Sequence, residues 1–161
     1  MKKVIFWVLF GILVTSQTAH AQRAFGVLGW GPRAGVSIDP DQIHLGAHLD
    51  LGDLAPHLVL MPNIEVGMGD NATVLTAMFE VDYRFQENWG SWRPYVGGGI
   101  GPVFLWVNDF TSTEFGLTIQ GGITRRLKGR PGLFFIELKL GLSDAPDMKF
   151  NVGWLFAKRS K

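Results

Sequence analysis

The chain has 161 residues, with 15 Lys and Arg against 14 Asp and Glu, and no cysteine. That is one domain's worth of sequence, with no basic excess for a nucleic-acid surface. Without cysteine, neither a disulfide framework nor a thiolate metal site can be built.

Positions 1–21 are expected to be a secretory signal peptide. Lys2 and Lys3 form a positive start, positions 4–14 are an apolar run, and Ala19-His20-Ala21 is a small-x-small cleavage site. The run is short for a spanning helix, which needs about 20 residues, so cleavage near Ala21 is preferred to a retained anchor. The mature domain is then 22–161, and loss of the two lysines takes the net charge from +1 to −1. Charges or glycines break every later apolar run, so any membrane crossing has to be made by strands.

Past the leader the chain alternates with a period of two. In "PRAGVSID", 32–39, Pro32, Ala34, Val36 and Ile38 oppose Arg33, Gly35, Ser37 and Asp39. In "IHLGAHLDL", 43–51, the apolar set Ile43, Leu45, Ala47, Leu49 and Leu51 opposes His44, Gly46, His48 and Asp50. Two histidines four residues apart would share a metal on a helix. The strict alternation, with a central glycine, argues for a strand. There they stand about 13 Å apart, too far to share one ion. No metal site and no cofactor is expected.

Six further runs follow. Leu58, Leu60, Ile64 and Val66 oppose Asn63 and Glu65 in 58–68. In 74–85, Leu75, Ala77, Phe79, Val81, Tyr83 and Phe85 oppose Thr76, Met78, Glu80, Asp82 and Arg84. The stretch 92–107 is blurred by glycines but sets Val96, Ile100, Phe104 and Trp106 on one face. In 114–124, Phe115, Leu117, Ile119 and Ile123 oppose Gly116, Thr118 and Gln120. In 133–142, Phe134, Ile136, Leu138 and Leu140 oppose Glu137 and Lys139. In 148–156, Met148, Phe150, Val152, Trp154 and Phe156 oppose Lys149, Asn151 and Gly153. Turn-forming segments such as "GDLAPH", "GDNA", "NDFTST" and "KGRPG" separate the runs. Short connections mean hairpins. The predicted fold is therefore all-β, an eight-stranded antiparallel up-and-down barrel.

Such a barrel can turn its apolar face inward, in water, or outward, in a bilayer. No apolar-face position is charged, as lipid contact requires. Gly35, Gly46, Gly67, Gly97, Gly99, Gly101, Gly116, Gly122, Gly141 and Gly153 fall on the opposite face, where a narrow lumen needs small residues. Aromatic residues collect at strand ends, with Trp30, Tyr83, Trp92, Trp154 and Phe156 near one rim and Trp106 near the other, the pattern of interfacial girdles. The transmembrane form is preferred, and a soluble periplasmic barrel with an apolar ligand is the alternative.

With "RPYVGGGIG" and the terminal "KFNVGWLF", the chain resembles the small outer-membrane β-barrel family, the OmpA-, OmpX- and OmpW-like barrels. The resemblance covers almost all of 22–156 and rests on alternation and glycine placement. It implies residence in the cell outer membrane, with lipid and the barrel-insertion machinery as partners, and a monomer. That machinery reads a terminal aromatic in the family. Here Ala157-Lys158-Arg159-Ser160-Lys161 follows Phe156, a departure.

The inward set holds Arg33, Arg84, Lys139 and Lys149 with Asp39, Asp50, Glu65, Glu80, Asp82 and Glu137. An ion network filling the lumen is the preferred reading, because charges in a tight interior must pair. The resemblance also raises a lipid-modifying enzyme that uses His44 with Ser37, as some small outer-membrane barrels use histidine and serine. No local motif supports that pair, and a structural role with a plugged lumen, not a porin, is the expected function.

Overall fold

The computed structural model describes residues 25–69, 72–107, 110–127, 129 and 132–157. The leader and the tail beyond Ala157 lie outside the described residues. The strands are β1 (Gly29–Ile38), β2 (Gln42–Asp50), β3 (Asp53–Ala55), β4 (Leu58–Gly69), β5 (Ala72–Arg84), β6 (Trp92–Val107), β7 (Phe110–Arg126), β8 (Gly132–Ser143) and β9 (Met148–Ala157). All pairings are antiparallel. The order β2-β1-β9-β8-β7-β6-β5-β4 is closed by β2 pairing with β4. Every long strand thus has two neighbours, and the eight form a closed up-and-down barrel. The three-residue β3 hangs on β4 alone.

Gly29 and Ala157 pair at one rim, and the connections 51–57, 85–91 and 127–131 share that terminus rim. At the far rim the connections are 39–41, 70–71, 108–109 and 144–147, all shorter than 51–57 and 85–91.

The period of two becomes a division between outside and inside. Val36, Ile43, Leu45, Ile64, Phe79, Ile100, Ile119, Leu138 and Phe150 are all exposed on the outer wall. The residues between them are buried: Glu80 is 1% exposed and Asn151 0%. In a protein folded by water this would be inverted, since burial of apolar surface drives folding there.

Three features differ from the sequence reading. The "GDLAPH" turn contains β3, whose brief pairing carries no periodic signal. β7 begins at Phe110 rather than 114: Thr111 pairs with Trp106 and Thr113 with Phe104. Polar "TST" reads as turn, yet Thr is a good strand residue, and this stretch pairs with β6 alone, since the β8 register starts at Leu117–Ser143. Asp39 is not inward. It sits exposed in the β1–β2 connection at a positive φ of 49°, a conformation Asp tolerates better than most residues.

Inward glycines make room for large side chains. A Cβ on Gly122 would lie 2.6 Å from the Tyr95 ring and hydroxyl, and one on Gly153 2.5 Å from the Phe135 ring. Gly122→Val should therefore displace Tyr95 and cost about 1–3 kcal/mol, the usual range for overpacking. A lower urea midpoint of the folded barrel checks this; an unchanged midpoint would contradict the packing.

Candidate functional site in the barrel lumen

The centre of the lumen is an ion cluster of six side chains drawn from five strands. Arg33 of β1 reaches three glutamates. Its Nε lies 2.9 Å from Glu65 Oε1, close enough for a charge contact though off the line of the N–H bond. Its Nη1 donates to Glu80 Oε2 at 3.2 Å, and its Nη2 to Glu137 Oε1. A planar guanidinium with five N–H groups is suited to such three-way contact. Lys139 donates to Glu80 Oε1 and stands 3.8 Å from both Glu65 and Glu137. Lys149 donates to Glu65 Oε2 at 2.7 Å. Three cations face three carboxylates, so the cluster is neutral as a whole, the condition for holding charge away from water.

Neutral side chains complete it. Tyr95 donates to Glu137 Oε2 at 2.8 Å, and the Asn151 amide donates to Glu137 Oε1 at 3.0 Å. The Phe135 ring lies under the Arg33 guanidinium at 5.5 Å from its centroid, a cation–π contact. The remaining charges of the predicted network lie outside this cluster. Asp82 accepts from Gln120 Nε2 at 2.8 Å. Arg84 stands 3.7 Å from Asp50 toward the terminus rim. Gly97 and Gly99 keep space open beside Asp82 and Glu80: a Cβ on Gly97 would meet Asp82 Oδ1 at 2.1 Å.

His44 and Ser37 are not brought together as base and nucleophile. His44 Nε2 is hydrogen-bonded to Asn151 Oδ1, while the Ser37 hydroxyl donates to the Pro40 carbonyl at 2.9 Å. His48 lies two inward positions nearer the terminus rim, opposite Asn63 and edge-on to Phe135 at 5.2 Å. Both histidines are buried, and they point into the lumen from one strand, four residues apart. Among the described residues, no group of three or more His, Asp or Glu side chains is placed to hold a metal ion.

The aromatics named from sequence fall at two levels. Around the terminus rim Trp30 packs on Phe156 at 6.0 Å, Tyr83 on Phe85 at 5.3 Å, Trp92 on Phe134 at 6.2 Å and Trp154 on Phe134 at 5.4 Å. Toward the far rim Trp106 stacks on Phe104 at 6.2 Å. The sequence reading missed the parts played by Tyr95, Phe135, Gln120 and Asn151. Phe135 and Tyr95 were hidden because alternation marks inward positions as polar, and an aromatic there is an exception. Asn151 and Gln120 were on the inward face but carried no charge to single them out.

A closed antiparallel barrel of eight strands, apolar without and ionic within, has the architecture of a membrane-type β-barrel. Solved structures of similar shape agree with that class. Neisserial surface protein A (NspA) has a TM-score of 0.60 at 11% identity, over 86% of this chain and 100% of that one. The N-terminal β-barrel domain of Pseudomonas aeruginosa OprF has a TM-score of 0.54 at 15% identity, over 81% of this chain and 98% of that one. The de novo designed TMB2.3 has a TM-score of 0.50 at 13% identity, over 85% and 98%. At these identities the likeness is one of fold, and at that level the resemblance to small outer-membrane barrels holds. No protein-family model and no curated protein matches the chain.

Proposed function

We propose that this chain is an integral outer-membrane β-barrel protein with a structural role and a plugged, non-conducting lumen. The observation that carries the reading is the Arg33 cluster: six ionised side chains from five strands meet inside the barrel while the outer wall is apolar. Eight strands leave an interior just wide enough for side chains to fill, and here long charged groups cross it. The outward Ile43, Met68, Phe79 and Phe115, each more than half exposed, speak against a soluble barrel. The separate partners of Ser37 and His44 give no support to a lipid-modifying enzyme.

The leader directs export and is removed near Ala21. The terminus rim faces the periplasm, from which the chain enters the membrane. The far rim, with Asp39, Asp41, Glu114, Asp144 and Asp147, faces outward. β9, with Phe156 near its end, is the strand that the insertion machinery reads. Closure leaves the eight barrel strands no free edge, which favours a monomer in lipid.

Planar-bilayer recording tests the plugged lumen. The purified barrel should give no reproducible openings of porin size at neutral pH. Stable porin-sized openings would overturn the structural role in favour of transport.

A further inference from the structure

The outer wall has a gap. On β7, Gly121 points outward between Val96 of β6 and Leu138 of β8. Where neighbouring positions carry large apolar side chains, this one carries none. A lateral cavity of about 650 Å³ opens there, walled by Val96, Ile123, Ile136, Leu138 and Phe150 and almost wholly apolar. Small-molecule sites have this size and this kind of lining, with a few polar groups at the edge.

The polar groups are present at the terminus rim. The β5–β6 connection closes on itself there: Trp89 N–H donates to the Trp92 carbonyl at 2.8 Å, and Trp92 N–H to the Trp89 carbonyl at 3.2 Å. That hairpin sets Glu87 and Trp89 against one end of the cavity. Along β7 the outward face continues from Gly121 through Ile123 to Arg125. The Arg125 guanidinium lies over the Trp92 ring, 5.7 Å from its centroid, and the residue is exposed. A cation stacked on an interfacial aromatic, with an apolar slot below it on the same strand, has the charge and shape order of a glycerophospholipid: phosphate above, acyl chain beneath. Glu87 adds an acceptor for an ammonium group.

We propose that this groove holds a single glycerophospholipid, with an acyl chain over Gly121, its phosphate on Arg125, and an amine-bearing headgroup selected by Glu87. The proposal rests on the membrane-spanning reading above. A Cβ at Gly121 would have nothing nearer than Tyr95 O at 3.9 Å and Val96 Cγ1 at 4.0 Å. The slot can therefore be filled by a side chain without forcing the backbone.

The test uses the full-length mature protein, reconstituted in vesicles of mixed phosphatidylethanolamine and phosphatidylglycerol, re-extracted gently, and weighed by native mass spectrometry. The wild type should keep a single lipid, with phosphatidylethanolamine preferred. Gly121→Leu should lower the retained fraction by about tenfold or more, as expected when an acyl chain loses several buried methylenes. Arg125→Gln should lower it for both lipids, and Glu87→Gln should shift the preference toward phosphatidylglycerol. Heat-shifted electrophoretic mobility is read on the same samples. A folded, membrane-extracted wild type that keeps no lipid, or a folded Gly121→Leu that keeps as much, overturns the groove alone. Failure of the wild type to enter the vesicles would instead overturn the membrane reading beneath it.

Discussion

Phe79→Arg should block assembly of the barrel, while Thr118→Arg leaves a larger folded fraction. Phe79 is 59% exposed in the middle of β5, opposite Pro62 and Ile100 on the outer wall. An arginine there meets hydrocarbon at a cost of about 2–4 kcal/mol near the midplane. Thr118 is 4% exposed and its hydroxyl donates inward, to the Gly99 carbonyl at 3.4 Å. An arginine there meets a polar but crowded lumen beside Glu65, Lys139 and Lys149. Crowding also costs stability, so the order of the two variants is the test rather than either value. Folding into vesicles, followed by the heat-sensitive gel shift, measures it. Equal loss in both variants would mean that inside and outside had been assigned wrongly.

Arg33→Met should be the most damaging substitution inside the lumen. It leaves Glu65, Glu80 and Glu137 facing Lys139 and Lys149 alone, in a space closed to water. Removing one partner of a buried pair costs about 3–5 kcal/mol, because the other charge stays buried. Adding Glu137→Gln to Arg33→Met restores charge balance and should recover part of the loss, a positive coupling between residues in direct contact. Arg33→Lys should recover only part of the loss: it keeps the charge, but a lysine lacks the planar fork with which Arg33 donates to Glu80 and Glu137 at once. Urea unfolding of the barrel in lipid gives the ordering. A double variant no more stable than Arg33→Met would show that pairing with Glu137 is not what holds the cluster.

The strands were legible because an apolar outer wall and a polar lumen impose a period of two, and β5 shows it from Leu75 to Arg84 with Met78 as its one apolar inward residue. The same period turned His44 and His48 from a candidate metal pair into two lumen residues on one strand, with Gly46 between them. Where this contrast weakens, the sequence is silent. β3 is too short to have a period. Residues 111–113 pair with one strand only and are all polar. Val59 and Leu155 at the terminus end, and Val74 and Val103 toward the far rim, are inward and apolar, against the rule that marked inward positions elsewhere. The membership of the ion cluster could be listed from the inward charges, but its pairing could not. Arg33 and Glu137 are 104 residues apart, and their meeting depends on closure of β1 against β9 and on the barrel's stagger. For the same reason Asp82 and Arg84, on the inward face of β5 with Glu80, have other partners. The gap at Gly121 was hidden because glycine on an outer face looks like any break in an apolar run.

Fractionation of cells expressing the full chain tests most directly that this is a membrane-spanning barrel. The protein should sediment with the outer membrane, remain there through a high-salt wash, need detergent for release, and run faster on a gel unheated than boiled. Recovery in the soluble periplasmic fraction without detergent, with one mobility before and after boiling, would contradict it.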